Sequence, residues 1–98
     1  MLVHSVYFWL KESLDDSQIK EFSIGLEKLK SISSAEAVYV GTPSTTERPV
    51  IDTSYSFALT VIFNDMAEHD AYQVDPLHTH FLETFKPMFA KVVIYDAD

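Results

Sequence analysis

The chain has no cysteine and only two glycines among its 98 residues. Without thiols there is no disulfide, no thiolate nucleophile and no cysteine-based zinc site. A Gly-rich phosphate loop, a nucleophile elbow and an HExxH helix are all missing. Basic residues are scarce: seven Lys and Arg against fifteen Asp and Glu leave a net charge of −8. Nucleic acids and anionic membranes are bound by basic faces that displace counterions, so neither partner is expected. The longest apolar run, Phe57 to Phe63, is seven residues including Thr60. That is far below the roughly 20 needed to cross a bilayer. The opening residues Met1 to His4 lack the basic, then long apolar, pattern of a secretory signal, so a cytoplasmic location is expected.

What is present is 47% apolar residues and 13% aromatics, enough for one core and one domain over residues 1–98. A domain of this size buries only about two-thirds of its unfolded surface, so it needs efficient packing or a partner.

Leu2 to Leu10 is rich in β-formers and aromatics and reads as a first strand. Two overlapping capping boxes follow, Ser13 with Asp16 and Asp15 with Gln18. Behind them Ile19, Phe22, Leu26, Leu29 and Ile32 mark one face of a helix. Gly25 weakens that helix by about 1 kcal/mol and suggests a close approach to the sheet. Val38 to Val40 reads as a short second strand, and residues 42–52 as an exposed loop, suited to a lid or a plain connection. Thr53 to Phe63 is the strongest strand pattern, with Tyr55, Phe57, Leu59, Val61 and Phe63 on one side. Asp65 starts a helix to about Val74. Asp75-Pro76 then breaks it, Asp being a good N-cap and Pro a good first helical residue, and a further helix runs to about Phe85. Val92 to Tyr95 is the last strand. The order is β-α-β-β-α-β with a broken second helix: a ferredoxin-like α+β protomer with a four-stranded antiparallel sheet.

In that arrangement both helices cover one sheet face. The other face still carries Tyr7, Trp9, Val93 and Tyr95, too many large rings for a solvated surface. A second copy of the sheet is the economical cover, so a homodimer is expected.

The four histidines differ in promise. His4 sits mid-strand facing the helices, as a core histidine with one hydrogen bond does. His69, between Glu68 and Asp70, reads as solvated surface. His78 and His80 lie about 200° apart around a helix and cannot chelate one ion together, so no metal site is expected. His78 is the third helical residue after Asp75, placing its backbone N–H where the Asp75 carboxylate can accept it. The helix N-terminus disfavours imidazolium and the carboxylate favours it; together they leave a largely neutral ring, as a general base requires. The break at Asp75 lets Tyr72 and His78 converge with His4 in one cavity. From spacing alone, Tyr72 as a core aromatic and His78 as a capping-region residue is the simpler alternative.

The stretch Tyr72-Gln73-Val74-Asp75-Pro76-Leu77-His78-Thr79-His80-Phe81, with His4 in the first strand and the Phe85-to-Asp96 ending, resembles the stress-responsive A/B barrel (Dabb) domain. The resemblance covers essentially the whole chain. It implies a ferredoxin-like protomer whose homodimer closes an α+β barrel through the sheet face. The best-understood activity in that family is plant polyketide cyclisation, as in olivetolic acid cyclase, which needs no cofactor. Carried over, that chemistry falls on His78 as base and Tyr72 as donor to the developing enolate oxygen. Phe22, Leu26, Leu59, Val61, Phe81, Phe89, Val92 and Ile94 are then the expected lining of the substrate pocket. Phe57 stands where the cyclase-type members carry a histidine, making the pocket more apolar there, and Asp75 replaces a histidine that often precedes the family proline.

Three readings follow from this. The first is a cofactor-free enzyme for an enolisable or aromatic small molecule, cyclase- or lyase-like, with a cofactor-independent oxygenase as a variant. The second is a non-catalytic binder of a small hydrophobic molecule. The third is a stress-associated structural dimer.

Overall fold

A computed structural model describes residues 1–98. It comprises β1 (Leu2–Leu10), α1 (Asp16–Lys28), β2 (Ala37–Gly41), β3 (Phe57–Phe63), α2 (Met66–Val74), α3 (Pro76–Phe85) and β4 (Phe89–Ala97). Single 3₁₀ turns, Leu29–Ser31 and Lys86–Met88, extend α1 and α3. The four strands form one antiparallel sheet in the order β2-β3-β1-β4, the ferredoxin-like arrangement expected from the sequence. No helix is long and apolar enough to cross a membrane.

Of the two possible capping boxes the chain uses Asp15 with Gln18. The Gln18 N–H donates to the Asp15 carboxylate and the Asp15 N–H to the Gln18 side chain. Gly25 makes its close approach to α3 rather than to the sheet. A Cβ there would lie 2.2 Å from the Phe85 ring, so α1 and α3 pack with almost nothing between them.

The core lies between the helices and one sheet face. Leu2, Val6 and Phe8 of β1 and Phe57, Leu59, Val61 and Phe63 of β3 meet Phe22 and Leu26 of α1, Tyr72 of α2 and Phe81 and Phe85 of α3. Strand β4 adds no fully buried residue, only the partly buried Phe89 and Val92. It runs nine residues rather than the expected four because pairing with β1, not its own alternation, defines it. The register slips between Trp9 and Leu10: Trp9 pairs with Lys91 but Leu10 with Phe89, skipping Ala90. That one-residue bulge turns Phe89 onto the helix side with Val92, although their sequence parity differs.

Strand β3 begins at Phe57, not at Thr53. Ser56 ends the alternation: its N–H donates to the Phe8 carbonyl and its hydroxyl accepts from the Leu10 N–H. Tyr55 is thereby turned to the opposite face from Phe57, where its ring lies 5.1 Å from Tyr7. That second face carries Tyr7, Tyr55 and Tyr95 in edge contacts, with Lys91 over the Trp9 ring. Tyr95 is 66% exposed.

Candidate active site

Asp75 creates the site. Extended backbone (φ −62°, ψ 135°) lets it end α2 and start α3 at once, as a residue before proline favours. Its carboxylate accepts from the Leu77 N–H at 2.9 Å, not from His78 as expected; the His78 N–H instead donates to the Asp75 carbonyl. The sharp junction folds the last turn of α2 back against the first turn of α3. Tyr72 and His78 meet there with ring centroids 4.7 Å apart.

Both line a cavity of about 130 Å³ beneath the α2–α3 junction. Its other polar walls are His4 and Gln73, and its floor is Val6, Phe8 and Leu59 with Leu29 beside them. Phe81 and Leu82 close it from α3; Phe89, Val92 and Ile94 flank it along β4, where Ile94 is 51% exposed. The cavity exists because β4 contributes so little buried bulk to the layer under α2 and α3.

His78 is buried, and desolvation holds its pKa below the ordinary histidine value, with the nearby His4 acting in the same direction. The Gln73 carbonyl and the Asp75 charge oppose this without reversing it. Its Nδ1 lies 3.3 Å from the Gln73 carbonyl oxygen. A carbonyl only accepts, so Nδ1 carries the proton and the Nε2 lone pair is free. Tyr72 is completely buried, and burial pushes its phenol well above the usual range, so it stays protonated. Its hydroxyl has no hydrogen-bond partner in the chain. Buried polar groups are rarely left unpaired, and each one costs about 1–3 kcal/mol. A free base and an unpaired donor thus share one apolar cavity.

Of the residues expected at the site, His4, Tyr72, His78, Leu59, Phe81, Phe89, Val92 and Ile94 come together on its wall. Phe22, Leu26, Phe57 and Val61 do not: they pack in the core, Phe22 lying 5.3 Å from both Phe8 and Phe57. The reason is that α1 sits over α3 and the inner strands, away from the β4 side where the space remains. No residue of the 42–52 loop reaches the cavity. Val6, Phe8, Leu29, Gln73 and Leu82 were not anticipated; Val6 and Phe8 share the His4 side of β1, and Leu82 lies one helical turn after His78, the spacings that identify them.

His69 departs most from expectation. Its side chain is 19% exposed, and its ring lies 5.7 Å from His4 and 5.5 Å from Phe63. His4 in turn pairs through Nδ1 with the Asp96 carboxylate at 2.5 Å. His4, His69 and Asp96 each offer one ligand atom, all within 4.8 Å of one another, a grouping that sequence spacing did not reveal.

A ferredoxin-like α+β protein with a small, mostly apolar cavity lined by His4, Tyr72 and His78 is the class that the fold defines. Residues 2–98 match the Stress responsive A/B Barrel Domain, and the chain belongs to that family. A Dabb family protein with a ferredoxin-like fold from Mesorhizobium loti is 25% identical, with a TM-score of 0.80 over 99% of this chain and 94% of that one. A dimeric ferredoxin-like protein of unknown function from Thermobifida fusca is 22% identical (TM-score 0.80; 98% and 88% covered). The hydroxynitrile lyase from Passiflora edulis is 21% identical (TM-score 0.79; 98% and 90% covered). No curated protein matches the sequence.

Proposed function

We propose that this chain is a cofactor-free enzyme that removes a proton from the carbon next to a carbonyl in a small, largely apolar molecule. The observation that carries the reading is that Tyr72, whose buried hydroxyl has no partner, and His78, whose pKa is held below the ordinary histidine value, line the same cavity. His78 Nε2 takes the α-proton, the C–H electron pair moves into the carbonyl, and the Tyr72 hydroxyl donates to the oxygen as it gains charge. His4 closes the polar side of the pocket and, through Asp96, holds its own ring still. Enolate formation of this kind serves both aldol-type cyclisation and lyase reactions. The Passiflora edulis structure, a hydroxynitrile lyase, supports base catalysis on this fold, although cleaving a hydroxynitrile starts from a hydroxyl proton rather than a C–H. The cavity volume favours a substrate part of roughly benzene size over a whole linear polyketide.

The working form is a homodimer through the open sheet face. Tyr7, Tyr55, Tyr95 and Trp9 form an aromatic patch there, and the Thermobifida fusca relative is described as dimeric.

The test is deuterium exchange at the α-carbon of phenylacetone in heavy water, followed by proton NMR. Catalysed exchange that falls about 100-fold or more in both His78→Gln and Tyr72→Phe supports the reading. Exchange no faster than buffer, or unaffected by either substitution, refutes it and leaves a binder or a structural dimer.

A further inference from the structure

We propose that His4, His69 and Asp96 form a binding site for a divalent transition-metal ion of the zinc class. This stands apart from the proton-transfer reading. Each of the three side chains offers one ligand atom, and these atoms all lie within 4.8 Å of one another. The closest pair, His4 Nδ1 and Asp96 Oδ1, is 2.5 Å apart. Tetrahedral ligands with metal bonds of about 2.1 Å sit about 3.4 Å apart, between these two separations, so small side-chain movements complete the site.

The fold, not chance on a flexible surface, brings the three together. His4 and Asp96 are direct cross-strand partners in β1 and β4, and His69 descends from α2 onto the same spot. His4 is buried and His69 half-buried, with the Phe63 ring against both. Asp96 is exposed, so the site is open on one side for an ion to reach it and for water to fill a fourth position. Each imidazole already contacts a carboxylate. Asp70 lies 3.1 Å from His69 Nδ1, which protonates that nitrogen and leaves Nε2 free to coordinate. A carboxylate on the far nitrogen of a histidine is the usual support for a metal ligand.

The donor set decides the ion. Two imidazoles with one carboxylate suit zinc, cobalt, nickel or copper, whereas calcium and magnesium take oxygen ligands. Binding displaces the proton shared between His4 and Asp96 and ties the C-terminal strand β4 to α2. Because His4 is also a wall of the cavity, an occupied site stiffens that wall.

The experiment is calorimetric titration of tag-free, chelator-treated protein with zinc chloride, alongside the visible spectrum of the cobalt complex. We expect one ion per chain and a cobalt spectrum of low coordination number. Asp70→Ala, outside the ligand set, lowers affinity about 10-fold or more, and His69→Ala and Asp96→Ala each lower it further. His80→Ala, on an exposed position of α3, leaves affinity unchanged. Absence of zinc and cobalt binding in the parent protein overturns the proposal. So does binding that survives both His69→Ala and Asp96→Ala, since it then lies elsewhere. Both variants alter side chains outside the core, and circular dichroism with an unchanged unfolding midpoint in chelator shows that the fold is kept. Phenylacetone exchange takes no part in this readout, so the two proposals fail independently.

Discussion

Replacing Tyr72 by Phe should make the protein more stable and less active at once. The ring is fully buried among Phe63, His4 and His78, so Phe fills the same space. What disappears is a hydroxyl that has lost its water and gained no partner. Leaving such a group unpaired costs about 1–3 kcal/mol, so its removal should return about 1 kcal/mol or more. For a domain of this size that corresponds to a rise of about 4–8 °C in unfolding midpoint per kcal/mol. The assay is urea unfolding at one fixed protein concentration, since a dimer's midpoint depends on concentration. Loss of α-proton exchange together with a raised midpoint is the signature of a group kept for chemistry at the expense of stability. A Phe variant destabilised by 1 kcal/mol or more refutes the reasoning, because the hydroxyl must then be hydrogen-bonded in the folded protein.

Other consequences are equally direct. His78 has a folded pKa below its unfolded value of about 6.5, so the unfolded chain binds the proton more readily. Its contribution is fully present above pH 6.5 and is lost as pH falls below it; urea titrations should show a stability slope there that His78→Gln reduces. Gly25→Ala should destabilise by about 1–2 kcal/mol in spite of better helix propensity, because the new methyl meets Phe85 at 2.2 Å. Asp75→Ala removes the N-cap of α3 and should lower stability by about 1 kcal/mol in thermal unfolding. Tyr7→Glu, placing a charge in the middle of the aromatic sheet face, should convert dimer to monomer by light scattering without unfolding the protomer.

Much of the fold could be read from residue order because its local signals agree with one another. The Asp15–Gln18 box, the Asp75-Pro76 break and the even-numbered inner face of β1 each recur in the structure as read. The departures all arise where a neighbour decides. Ser56 binds the end of β1 and turns Tyr55 to the other face, against the alternation of its own strand. A bulge opposite Trp9 and Leu10 returns Phe89 to the inside, which no pattern within residues 89–91 announces. The Tyr72–His78 convergence was legible because five residues, one of them a proline, separate the pair. The His4–His69–Asp96 grouping was not, since its members are joined only by strand pairing and by the descent of α2. The cavity wall was half legible: the inward-facing residues other than the half-exposed Ile94 were placed inside, but sequence does not say which stay packed and which border space. Phe22, Leu26, Phe57 and Val61 fall in the first group.

The central claim is that His78 stands in the cavity as a neutral imidazole with Nδ1 protonated and Nε2 free. Nitrogen-15 NMR of labelled histidine, recorded from pH 5 to 8, tests this directly. The account predicts that the ring whose signals vanish in His78→Gln is Nδ1–H at pH 7 and titrates below the ordinary histidine value. An imidazolium at pH 7, or the opposite tautomer with Nε2 protonated, contradicts it and removes the base from the proposed chemistry.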